Sequence, residues 1–300
     1  MKHTLKVTVA LVSFFLMSQL VGLLIINQYI DHEKSIEKKE IIMKPLPYNI
    51  ERPEVENQST SFIYISVSIF IGTILVLLLV KFNKPLIWKI WFFATVWLTL
   101  AIAFAAFINN IIAAVLALAI SILKLYKPQI IIQNISEVFI YGGLAAIFVP
   151  IINLFAAFML LIVISIYDFI AVYKTGHMIQ MAKFQSKSKV FAGLVIPYEK
   201  VKIPTEGKSL KTSAQGKKSK VAVLGGGDIG FTLIFAGVVM KDLMLKETIL
   251  AGFLKTSVIP VFVSIALLIL LIKGQENKFY PAMPVLSLGC LLGYLVVLFI

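Results

Sequence analysis

The chain has 300 residues, 59% of them hydrophobic and 14% charged, with a formal net charge of +13. Soluble domains run nearer half apolar and a quarter charged, so the composition specifies an all-α membrane protein with several spans. A single cysteine, Cys290, excludes a disulfide framework within the chain, a thiolate zinc site and a CxxC redox centre, and three scattered histidines leave a His-based metal site little to build on; no metal and no cofactor is expected. The positive charge reads as lysine marking cytoplasmic loops and not as a nucleic-acid surface, because Arg52 is the only arginine and arginine dominates base contacts.

The first apolar run covers residues 5–30. Lys2, His3 and Lys6 give it the charged start of a signal peptide, but it is too long and no A-x-A follows, so a retained helix is expected. Residues 31–60 form a polar, mostly acidic loop. Runs at 61–80, 85–108 and 111–123 follow, the last two separated only by Asn109-Asn110, which must be a tight turn. Lys124, Lys127 and Pro128 close the fourth run. The fifth covers 134–149, and Pro150 divides it from the sixth, which ends at Tyr173.

Residues 174–220 are polar and rich in Lys, Ser and Gly. Within them 190–204 is more apolar, and Val201 and Ile203 alternate with Lys200 and Lys202 as in a short strand. The seventh run covers 221–240. Lys255 interrupts the eighth, placing its span at 256–272, and the ninth covers 281–300. About twenty residues cross a ~30 Å apolar core, so nine transmembrane helices are expected. They fall into a six-helix part (1–173), a basic loop (174–220) and a three-helix part (221–300). With the N-terminus inside, every large lysine excess lies on one face, as the positive-inside rule requires. This places the N-terminus in the cytoplasm, the C-terminus outside, and the chain in the cell membrane as a multi-pass protein.

Of the fifteen acidic residues, seven lie in the first loop. Glu199 and Glu206 lie in the basic loop, Asp242, Glu247 and Glu276 flank helices, and Glu137 stands near the inner start of the fifth run. Asp168 and Asp228 remain as the acids well inside apolar segments, where a carboxylate is costly and a functional candidate by default. Asp168 precedes Lys174 by six residues and Asp228 follows Lys220 by eight, which on a helix is ~9 and ~12 Å of depth. Both carboxylates therefore fall in the inner third of the bilayer on consecutive helices. Two carboxyls at close range share a proton, so one can act as general base on water while the other protonates a carbonyl.

Tyr167-Asp168, Gly225-Gly226-Gly227-Asp228 and Pro281-Ala282-Met283-Pro284 resemble the YD, GxGD and PAL motifs of presenilins and signal peptide peptidases, with Met283 where that family usually has Leu. The three occur in order on the sixth, seventh and ninth runs. The resemblance implies a presenilin-like fold and an intramembrane aspartyl endopeptidase with Asp168 and Asp228 as the catalytic pair. It also implies a substrate-binding surface from Tyr167, Leu224, Gly225, Gly226, Gly227, Pro281, Ala282 and Met283. Transmembrane proteins with their N-terminus outside are the expected substrates, the lipid bilayer is the expected medium, and no obligate partner subunit is evident. The alternative is a proton- or ion-coupled transporter or channel using the same Asp pair as a relay; it predicts internal symmetry, and no repeat is visible. Gly289 and Gly293 form a GxxxG stripe that reads as a packing face.

Overall fold

The computed structural model describes residues 4–176, 180–181, 184–185, 188, 190–198, 221–274 and 280–300. Its helices are α1 (Leu5–Gln28), α2 (His32–Lys38), α3 (Ser61–Lys81), α4 (Pro85–Ala105), α5 (Asn110–Tyr126), α6 (Ile130–Phe148), α7 (Leu154–Tyr173), α8 (Gly226–Leu243), α9 (Ile249–Thr256), α10 (Val258–Lys273) and α11 (Met283–Phe299). Two strands, β1 (Gly193–Pro197) and β2 (Val221–Gly225), pair antiparallel with Gly193 opposite Gly225 and Pro197 opposite Val221.

Six stretches are long and apolar enough to cross a membrane: α1, Gln58–Lys81, α4, Ile130–Ile151, α7 and Ile249–Lys273. Helices α5 and α11 are shorter apolar helices, and α8 is diluted by Asp228, Lys241 and Asp242. The lipid-facing positions are apolar and outward. On α3, Ile63, Val67, Phe70, Ile71, Ile74 and Leu78 are all exposed, as they must be where the solvent is hydrocarbon.

Helix α1 lies at the centre, packed against α6, α8 and α10. Its Leu11, Phe15, Leu23 and Ile26 are fully buried. Helix α8 is buried almost continuously from Ile229 to Met240, so its surroundings are protein, not lipid. Small residues allow the close approaches: a Cβ on Gly143 of α6 would overlap the Thr99 carbonyl of α4, and Gly289 and Gly293 of α11 sit against the backbone of Val263 and Ile259 in α10. The GxxxG stripe is thus a helix-packing face. The first loop is fastened over one end of the bundle, with the Tyr48 hydroxyl donating to the Asn110 carbonyl at 2.7 Å and Asn153 Nδ2 donating to Ser59 Oγ at 2.7 Å.

Four sequence expectations are corrected. The chain is not purely helical, since it carries the β1–β2 pair. Strand β1, Gly193–Pro197, falls inside the 190–204 stretch; residues 199–220, with the Val201/Ile203 alternation, lie outside the described residues. The seventh run does not begin as helix: Val221–Gly225 is strand and α8 starts at Gly226. Valines favour extended backbone, and the strand gains main-chain partners from β1. The fifth run begins at Ile130, four residues early, because Gln133 and Asn134 are used inside the protein. The eighth begins at Ile249 and bends at Ser257; Lys255 stays in it by pairing with Glu247 at 2.5 Å.

Candidate active site

Helix α7 starts at Asn153, whose side chain accepts from the Ala156 N–H at 2.9 Å, the usual N-cap bond. Ala157, Leu161, Ile164, Asp168 and Ala171 are all buried and are spaced four, three, four and three residues apart, which puts them on one face. Asp168 therefore occupies a core position of the helix and points at its neighbours, with only 8% of its surface exposed.

What meets it there is the start of α11. The Met283 N–H donates to Asp168 Oδ2 at 3.0 Å, and the Ala282 N–H is directed at the same carboxyl. The first N–H groups of a helix have no partner within the helix and carry its positive dipole end. The Pro281–Pro284 segment thus presents main-chain donors to an acid. Ser165 and Ser287 tie the same two helices together, Oγ to Oγ at 2.9 Å.

Asp228 is the third residue of α8. Gly225 is the N-cap, extended at φ −66°, ψ 146°, and its N–H bonds back to the Asp228 carboxyl. This is the side-chain-to-N-cap half of a capping box. The two acids are held in the same way, each by main-chain N–H groups at a helix N-terminus. Asp228 lies in the first helical turn after a strand, not two turns into a continuous helix.

Both carboxyls line one cavity of ≈140 Å³, with Tyr167, Gly225, Gly227 and Met283 beside them and Ile69, Ile164 and Phe231 supplying apolar wall. A water needs far less space than this, so the cavity accommodates water next to both acids. Tyr167 stands at its edge, the hydroxyl 3.1 Å from Thr73 Oγ1 of α3 and the ring edge-on to Phe70 at 5.4 Å. Six of the ten residues expected at the site thus converge on the cavity. Ala282 reaches Asp168 through its N–H without lining the cavity, and Leu224, Gly226 and Pro281 do not line it either: Leu224 is buried and Gly226 packs on Tyr141. Among the described residues no group of three or more metal-ligating side chains occurs.

The sequence of the chain from residue 12 to residue 300 matches the family model described as signal-peptide peptidase, presenilin aspartyl protease. The chain belongs to that family. It is therefore an aspartyl protease, a hydrolase embedded in the membrane. Two solved structures, each described as a presenilin family intramembrane aspartate protease, share the fold. One has a TM-score of 0.60 at 17% identity, with 96% of this chain and 95% of that chain covered. The other has a TM-score of 0.59 at 18% identity, with 96% of each chain covered. No curated protein matches the sequence significantly.

Sequence reasoning missed the anchors of this presenilin-like site. Asn134 of α6 grips β1 through both ends of its amide, donating to the Val195 carbonyl and accepting from the Val195 N–H, each at 2.9 Å. Gln133 donates to the Phe191 and Gly193 carbonyls at 2.9 and 2.8 Å. Two adjacent amides in an apolar run were the available signal, since polar groups in a membrane must find partners.

Proposed function

We propose that the protein cleaves peptide bonds inside transmembrane segments, with Asp168 and Asp228 as the catalytic pair. The observation that carries this reading is the single cavity lined by both carboxyls, each oriented by main-chain donors. A water between them loses a proton to the ionised carboxyl as its oxygen bonds to the scissile carbonyl carbon. The protonated carboxyl gives its proton to the carbonyl oxygen. The resulting gem-diol collapses with C–N cleavage, and the nitrogen leaves as an amine after taking a proton from the dyad.

A helical substrate hides its carbonyls in i→i−4 bonds and must unwind first, and in lipid the unwound backbone needs new partners. Strand β2 supplies them. The Gly226 N–H donates to the Ala192 carbonyl at 3.2 Å, so with the observed register the pairs that exchange ladder bonds are 192/226, 194/224 and 196/222. The main-chain groups of Val221 and Val223 and the Gly225 carbonyl then face the other edge, the Gly225 N–H being held by Asp228. Among the described residues that edge has no strand on it, and it runs directly into Asp228. An extended substrate added there would lie with its backbone beside the cavity.

In this reading α5, α8 and α11 also cross the bilayer, giving nine spans, and the 174–220 loop is cytoplasmic in a cell-membrane protein that takes substrates with their N-terminus outside. The test is incubation of purified protein with a single-span substrate, comparing wild type, Asp168→Asn and Asp228→Asn by fragment mass. Cleavage by wild type alone supports the reading. Cleavage by either variant at the wild-type rate overturns it.

A further inference from the structure

Lys124 at the end of α5 and Glu137 in α6 form an ion pair, Nζ to Oε1 2.5 Å, with side chains only 2% and 1% exposed. Lys124 also donates to Ser136 Oγ at 2.8 Å, and Gln133 Nε2 donates to Glu137 Oε1 at 3.0 Å. The Tyr141 hydroxyl donates to the second oxygen, Oε2. A buried ion pair contributes little net stability over an apolar replacement of the same shape, so its presence here calls for a role beyond holding α5 to α6. Glu137 does not line the aspartate cavity and takes no part in the steps above.

Its partners, however, reach both halves of the site. Through Gln133 it holds the Phe191 and Gly193 carbonyls at the start of β1. Through Tyr141 it reaches the start of α8, because a Cβ on Gly226 would overlap the Tyr141 hydroxyl. The phenol thus occupies the space that a side chain at the x position of the Gly225–Asp228 turn would take. Residue 226 is glycine for a local reason: any side chain would push the phenol off Glu137.

We propose that Glu137 and Tyr141, with Lys124 neutralising the carboxylate, are positioning residues that fix the β1–β2 pair and the Asp228 turn relative to each other, Gly226 being the socket for the Tyr141 phenol. This rests on the protease reading of Asp228. Loosening the network misplaces Asp228 against the bound substrate, so it lowers kcat and leaves KM little changed.

The test compares wild type with Tyr141→Phe, Tyr141→Ala, Gly226→Leu, the double variant Tyr141→Ala/Gly226→Leu, and the neutral pair Lys124→Met/Glu137→Leu, on one single-span substrate. Tyr141→Phe and Gly226→Leu should each lower kcat about tenfold with KM within about threefold. Because the two residues share one space, the double variant should be no worse than Tyr141→Ala alone, where independent sites would multiply their losses. The Lys124→Met/Glu137→Leu variant removes both charges together but leaves the buried Tyr141 hydroxyl without its acceptor, so it should stay folded with a modestly lowered melting temperature and lose about tenfold in kcat. Multiplicative losses in the double variant, or wild-type kcat in the neutral pair, overturn the proposal. Amide exchange over residues 221–228 is read on the same samples and should rise in Tyr141→Phe; unchanged exchange there counts against the proposal whether or not the protein cleaves. Asp228→Asn runs alongside, and its activity bears on the protease reading alone.

Discussion

The Met283 N–H donates to Asp168 Oδ2 at 3.0 Å, so the residue that departs from the family's usual Leu serves the acid through its backbone. Met and Leu are close in volume and both apolar. Met283→Leu should therefore keep kcat/KM within about threefold of wild type. Met283→Pro deletes the donor, and a hydrogen bond to a charged group contributes about 1.5–3 kcal/mol, so its activity should fall at least about tenfold. Proline also presses Ala282 out of its helical conformation, so the melting temperature is measured beside the kinetics to separate lost activity from lost fold.

Replacing either aspartate by asparagine should abolish cleavage and leave folding intact. Asn keeps an acceptor for the N–H groups that hold each carboxyl, at Met283 for Asp168 and at Gly225 for Asp228, while removing the ionisable proton the chemistry needs. Matched elution and melting profiles with no fragments in either variant is the expected result.

The two acids were legible because a carboxylate inside an apolar run is rare enough to be selected by inventory alone. The stretch before Asp228 was less so. Val221 to Gly225 is a short apolar run, which periodicity cannot assign to helix or strand, and only its pairing with Gly193–Pro197 decides it. Its partner lies within 190–204, the stretch that reads as more apolar than its surroundings, but Gly193–Pro197 has no alternation of its own to mark it, and the Asn134 amide that bonds both main-chain groups of Val195 comes from 61 residues away. Glu137 and Lys124 each look like residues flanking a loop. Nothing in the order of residues shows that they fold inward across the Pro128 turn to meet.

Lys241 offers a test of helix-end packing away from the acids. Its Nζ donates to the Val149 and Ile152 carbonyls at 3.2 and 2.8 Å, capping the chain where Pro150 interrupts it between α6 and α7. Lys241→Met should destabilise the protein by about 1–3 kcal/mol, the cost of leaving the Ile152 carbonyl without this donor, while the Val149 carbonyl keeps the Ile152 N–H; it is read as a lower melting temperature in detergent. Activity per folded molecule should be unchanged, since none of Val149, Ile152 and Lys241 lines the cavity.

Orientation is tested on intact cells. A tag within residues 208–220 should resist protease added from outside and become accessible only after lysis, as the lysine distribution requires. Digestion in intact cells would reverse the orientation and, with it, the expected direction of the substrate.

The strand edge makes the sharpest demand on the mechanism. The Val223 main chain faces away from β1, because the ladder bonds on that side alternate through Leu224 and Ala222. Val223→Pro therefore removes a donor from the substrate edge without removing one from the β1–β2 pair, and its side chain is exposed at 47%, so little packing is lost. Proline at an edge position is tolerated in sheets, and the melting temperature should stay close to wild type. Cleavage should fall at least about tenfold, the loss of one main-chain bond of ~1 kcal/mol being compounded by the ring obstructing its neighbours. Val223→Ala keeps the N–H and should lose far less. Full activity in Val223→Pro with unchanged fragment masses would remove strand addition from the mechanism and leave the aspartate pair standing; selective loss in the proline variant places the scissile backbone along β2.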